Sequence, residues 1–191
     1  MDPASLVSQI HASPAMAVCV VTGGSMQALA DLLAIPGASR TLLEALIPYS
    51  AQSLAEFLGT PPAHAVSVET AAALAQEAYQ RALRLQGEKT LPLLGLSCTA
   101  TLVTDRPKKG AHRAHIGACD GTRIRVYSLT LQKGARDRQG EERVVSDFFL
   151  SVFAEACGLN NPQDLTLLPS ERDTVQMASY EFPLPHPGQW H

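Results

Sequence analysis

Residues 15–33, AMAVCVVTGGSMQALADLL, decide the fold. Residues 15–21 form a continuous, Val-rich apolar run bounded by turn signals, which reads as a strand buried on both faces. After Gly23-Gly24 the spacing changes: Met26, Leu29, Ala30 and Leu33 recur at helical period, and Pro36-Gly37 stops them. A buried strand turning directly into a helix predicts a sheet with helices packed on it. The Thr22-Gly23-Gly24-Ser25 junction then lies at the carboxyl end of that strand, where α/β sheets usually hold ligands. Two glycines there leave amide groups unobstructed near a helix start, the design of an anion cradle, and Thr22 and Ser25 add hydroxyls. The same four residues also read as a tight turn with a capping serine, and they match neither the dinucleotide nor the P-loop pattern.

Working outward, Asp2-Pro3 is a helix start followed by Leu6 and Ile10, and Pro14 closes that helix. Residues 38–49 are ambiguous between helix and strand, and 50–59 read as a short helix ending on Gly59. Ser67, Val68, Ala71, Leu74, Ala75, Ala78 and Ala82 predict a long helix over 67–86. Residues 91–98 read as a second buried strand. Residues 113–132 read as a hairpin about Asp120-Gly121. Residues 140–158 read as a helix carrying Val144, Phe148, Val152 and Ala156. The expected architecture is a three-layer α/β/α sandwich with a mixed sheet over residues 1–160, followed by a Pro-rich extension over 161–191 whose FPLPHPGQWH end reads as an extended arm.

Composition bounds the function. The chain has 191 residues, 46% hydrophobic but only 5% aromatic, so its core is built from Ala, Leu, Val and Ile. No apolar run reaches the roughly 18 residues needed to span a bilayer, and no signal peptide is evident, so a cytoplasmic protein is expected. Cys19, Cys98, Cys119 and Cys157 are scattered and read as reduced structural thiols. A net charge of −3 argues against a dedicated nucleic-acid binder. Ten of the fifteen basic residues nevertheless lie between Arg106 and Arg143, with four acids among them, so this half reads as either a solvated face or an anion-receiving one. His112 and His115, three apart on one strand, point to opposite faces, so no metal site is expected. Tyr79, Tyr127 and Trp190 are too scattered to stack bases.

Several segments together resemble one family. VVTGG, then Pro36, Gly37 and Ser39, then Tyr49 and Ser50, then Gly59, then Ala65, Val66, Ser67 and Glu69 follow in order and spacing the patterns of the CinA C-terminal family, the nicotinamide-mononucleotide deamidases. Looser matches at Gly95, Lys109, Ile116 and Arg143 extend the resemblance over about residues 14–158. It implies a pocket for a small nucleotide lined by Thr22, Gly23, Gly24, Ser25, Tyr49, Ser97 and Arg143, no bound cofactor, and a tendency to form homo-oligomers, for which TLLEALI offers an apolar surface.

The family hydrolyses a carboxamide with a serine, a tyrosine and a lysine. These positions fall here on Val20, Tyr49 and Leu54, and the family's T-G-I-A-G-P segment also departs, from Leu94 to Thr99. Neither valine nor leucine can attack a carbonyl or move a proton. Three readings stay open: a nucleotide-binding domain without catalysis; an amidohydrolase with a displaced nucleophile, Ser25, Ser97 or Cys98, assisted by Tyr49; and a protein-interaction or oligomerisation scaffold.

Overall fold

The computed structural model describes residues 3–88, 90–106, 109–159, 165–172 and 174–184. Helix α1 (Pro3–Ala12) leads into strand β1 (Met16–Thr22), which is buried along its whole length. Helices α2 (Met26–Ala34) and α3 (Ala38–Thr41) carry the chain to β2 (Leu42–Leu46), so the ambiguous segment is helix in its first part and strand in its second. Helices α4 (Ala51–Leu58) and α5 (Val68–Leu85) then cross back to β3 (Leu93–Thr101). Strands β4 (His112–Cys119) and β5 (Arg123–Leu131) form the expected hairpin. Helices α6 (Arg138–Ala156) and α7 (Pro169–Arg172) precede a last strand, β6 (Gln176–Glu181), that the sequence did not announce. Of the expected first helix, Asp2 lies outside the described residues, as do residues 185–191 of the terminal arm.

The six strands form one sheet in the order β2-β1-β3-β4-β5-β6. β2, β1 and β3 run parallel, while β4, β5 and β6 continue as an antiparallel meander. Alternation along each strand sends side chains to two cores. Ala17, Cys19, Val21, Leu94, Leu96, Cys98 and Ala100 pack with α1, α2 and α6. Val18, Val20, Leu93, Cys119, Ile124 and Val126 face α4 and α5 on the opposite side. This is the three-layer α/β/α sandwich with a mixed sheet.

The caps follow the sequence. Ser50 and Ser67 accept the Ser53 and Thr70 amides, and Asp137 accepts the Gly140 amide, which starts α6 two residues before the expected start at residue 140. The α5 face that meets the sheet is mostly alanine, and β3 presents Gly95 beneath it. A Cβ on Gly95 would lie 2.1 Å from the Ala75 carbonyl oxygen, so helix and sheet approach closer than any side chain permits. On α2 the buried stripe is Ala28, Leu29 and Leu32, and Leu33 is 61% exposed. Period alone gave the helix and misplaced one edge of its inner face, because α2 is held on both β1 and α6.

Candidate functional site

The Thr-Gly-Gly junction sits at the carboxyl end of β1, beside the end of β3. Gly23 has φ +77°, and a Cβ there would lie 2.0 Å from the Ala100 carbonyl oxygen. At Gly24 a Cβ would be 3.0 Å from the Ala100 Cβ and 3.4 Å from Val145 Cγ1. Both glycines therefore serve close packing of the turn against β3 and α6. Ser25 takes a left-handed conformation, φ 68°, and makes no cap to its own helix. Its hydroxyl is fully buried and donates to the Val145 carbonyl at 3.3 Å.

The amino end of α2 is capped from α6 instead. The Gln27 amide donates to Glu142 Oε1 at 3.1 Å, and the Ala28 amide donates to Ser146 Oγ at 3.2 Å. A carboxylate at a helix amino terminus is favoured by both free amides and dipole, so Glu142 occupies the position that an external anion would take. Arg138 closes the arrangement by donating to the Gly23 carbonyl at 3.0 Å.

Between the amino ends of α2 and α6 lies an open cleft of about 680 Å³ lined by Met26, Gln27, Arg138, Gln139, Glu142 and Arg143. Arg143 pairs with Asp31 at 2.7 Å and Asp147 at 2.6 Å. Burial pushes the Asp147 carboxyl up, and Arg143 only partly offsets this. The cleft thus presents both signs of charge together with two side-chain amides.

The opposite face of the sheet differs. Val20 and Leu54 meet there in one apolar cluster with Val18, Leu74, Ala78 and Ala82. Ser97 is fully buried and donates to the Ala71 carbonyl at 2.7 Å. Tyr49, in the loop between β2 and α4, is 68% exposed. Of the residues expected to share a pocket, then, Ser25 and Arg143 lie on the α2–α6 side, whereas Thr22 and Ser97 face α5. The sheet separates them.

The three displaced-nucleophile candidates, Ser25, Ser97 and Cys98, have no exposed surface. Burial pushes the Cys98 thiol up to about 12, the Ser25 hydroxyl offsetting this only in part, so it is protonated at neutral pH. None of the three can reach a substrate carbonyl in this structure.

Four adjacent strands contribute one further row of polar groups on the α5 face: Thr22 pairs with Thr99, Thr99 with His115, and His115 with Ser128. Thr99 Oγ1 donates to the Ala65 carbonyl. His115 Nδ1 lies 2.7 Å from Ser128 Oγ. Burial, reinforced by Arg113 and opposed by Glu69, lowers the His115 imidazole to about 4. The sequence reading considered His115 only as a metal ligand and passed over Ser128. Same-face parity across the Asp120-Gly121 turn was the signal for their pairing. Among the described residues no group of three or more His, Cys, Asp or Glu is placed to hold a metal, and no helix is long and apolar enough to cross a membrane.

No family model and no curated protein matches the sequence. Solved structures do match. The competence/damage inducible protein CihA from Agrobacterium tumefaciens aligns over 82% of this chain and 96% of its own, with a TM-score of 0.62 and 16% identity. A competence or damage-inducible protein from Enterobacter asburiae aligns over 82% of this chain and 99% of its own, with a TM-score of 0.60 and 12% identity. A competence-damaged protein (CinA) superfamily protein from Escherichia coli aligns over 78% of this chain and 84% of its own, with a TM-score of 0.57 and 14% identity. At these identities the likeness is one of fold, and the fold of this chain is that of the CinA-superfamily structures.

Proposed function

We propose that this chain is a CinA-like domain that binds a small nucleotide and does not hydrolyse it. The observation that carries this reading is the apolar cluster on the α5 face. The two positions that the family resemblance assigns to the nucleophilic serine and the lysine are Val20 and Leu54, and both lie buried in one apolar cluster. A site that has lost one group by drift leaves an orphaned polar partner, and burying such an orphan is costly. Here both positions have become core.

The cleft between α2 and α6 is where the reading places the ligand. Nicotinamide mononucleotide carries an anionic phosphate, a cationic pyridinium ring and a carboxamide. Arg138 and Arg143 suit the phosphate, the Glu142 carboxylate suits the cation, and Gln27 and Gln139 suit the amide. The Thr-Gly-Gly turn takes part indirectly, by fixing Arg138 through the Gly23 carbonyl. Calorimetric titration with nicotinamide mononucleotide, with ammonia followed on the same sample, tests both halves: saturable heat without ammonia is expected.

A further inference from the structure

Backbone carbonyls hold the cleft arginine Arg138. Its guanidinium spans two of them, donating from Nη2 to Gly23 at 3.0 Å and from Nη1 to Val103 at 3.4 Å. The two belong to different segments, Gly23 to the turn after β1 and Val103 to the chain just beyond β3. Gly23 is fixed by its close approach to the Ala100 carbonyl. Val103 is half-buried and lies outside regular structure, so no strand ladder holds it. Its amide instead donates to Glu141 Oε2 at 2.8 Å.

Glu141 is unusual for its place. It stands in the first turn of α6, yet it has no exposed surface. Its other oxygen, Oε1, lies 2.7 Å from Nδ1 of His112, the first residue of β4, which is 7% exposed. Both carboxyl oxygens thus have partners, as a buried polar group requires. Exchanging a sealed polar pair for apolar residues of similar volume is often neutral or stabilising, so stability alone does not account for this one. What the pair adds is position. Oε1 is anchored on the sheet and Oε2 on Val103, whose carbonyl accepts from Arg138.

We infer that Glu141 and His112 are positioning residues for the cleft: through Val103 they hold the Arg138 guanidinium where it meets the anionic group of a ligand. This assignment rests on the reading of Arg138 as a phosphate residue, and it adds which buried groups set that arginine in place. The pair itself touches no ligand. Without it Val103 loses its anchor, and Arg138 keeps only the Gly23 carbonyl as a firm acceptor. A single hydrogen bond does not fix the plane of a guanidinium, and fork-like pairing with phosphate depends on that plane.

The full wild-type chain is compared with two variants. Glu141→Met combined with His112→Leu removes both partners, and Glu141→Gln has an amide that can still bridge Val103 and His112. Nuclear relaxation of the Arg138 Nε–H group reports how firmly the guanidinium is held, and calorimetry reports affinity for nicotinamide mononucleotide. The paired replacement should stay folded, with a lowered Arg138 order parameter and affinity at least about tenfold weaker. Glu141→Gln should stay within about twofold of wild type. In an Arg138→Ala background the paired replacement should change affinity by less than about twofold, a non-additivity that a general loss of structure would not produce. An unchanged order parameter or an unchanged affinity in the folded paired replacement overturns the inference, as does equal weakening with and without Arg138. Should the paired replacement not fold, His112→Ala makes the same comparison: Glu141 loses its anchor on β4, and an Arg138 order parameter that does not fall overturns the inference. If wild type binds no nicotinamide mononucleotide, the nucleotide reading falls, and the order parameter alone decides whether the pair holds Arg138.

Discussion

At the residue scale, glycine and valine are the informative types. Gly23 combines a positive φ with a carbonyl oxygen where a Cβ would stand. Gly23→Ala should therefore cost about 3 kcal/mol, combining backbone strain with displacement of β3. Denaturant unfolding measures it, and wild-type stability in that variant would contradict the packing role given to the turn. Val20 and Leu54 allow a sharper check. If the family chemistry has been replaced by core, restoring its side chains as Val20→Ser with Leu54→Lys should yield no ammonia from nicotinamide mononucleotide. It should lose several kcal/mol of stability, because a lysine would be buried among leucine and alanine without a partner. The strand, the turn and the need for glycine were all legible from residues 15–25. That the glycines serve close packing was not, because Ala100 and Val145 are distant in sequence.

At the element scale, the relation between α2 and α6 matters most. The sequence suggested an open amino terminus on α2, and the structure fills it with Glu142 and Ser146. Replacing either with alanine removes a cap across two helices, and each change should cost about 1 kcal/mol. Glu142→Ala should also lower nucleotide affinity if the carboxylate meets the pyridinium ring, whereas Ser146→Ala should leave it nearly unchanged. Thermal unfolding and calorimetry on the two variants separate these effects. Helix periods and caps made α4 and α5 readable, since Ser50 and Ser67 each start a helix where their type predicts, and period alone made α6 readable, its cap Asp137 lying ahead of the expected start at residue 140. The β4–β5 hairpin was equally readable. Its register, which aligns His115 with Ser128, followed from the Asp120-Gly121 turn but was not drawn from it.

At the scale of the whole molecule, the chain after α6 returns to the sheet. β6 covers the outer edge of β5, and α7 anchors the return. Glu171, 1% exposed, accepts the Arg136 guanidinium and the Gln132 and Leu168 amides. Burial pushes its carboxyl up, but these partners outweigh burial and hold it below 4.5. A lowered folded-state pKa gives stability that is present above the unfolded value and lost as pH falls through the folded one. Stability should therefore decline below about pH 4.5, and Glu171→Gln should cost about 2 kcal/mol at neutral pH while flattening that decline. Unfolding curves across pH check it. An unaltered acid profile in Glu171→Gln would contradict the assignment. Strand β6 escaped the sequence reading because QMASYE has little apolar alternation: it lies at the sheet edge and all six of its residues are exposed or half-buried. The separation of Ser25 and Arg143 from Thr22 and Ser97 by the sheet was likewise invisible, since motif order along a chain carries no information about which face of a sheet each motif reaches.

Binding without hydrolysis is tested most directly by one titration. The full chain is titrated calorimetrically with nicotinamide mononucleotide while ammonia is followed in the same cell. Saturable binding with no ammonia is the predicted result. Ammonia released in proportion to protein would show that amide hydrolysis survives despite Val20 and Leu54, and the absence of any binding heat, confirmed by equilibrium dialysis, would contradict a nucleotide-binding role.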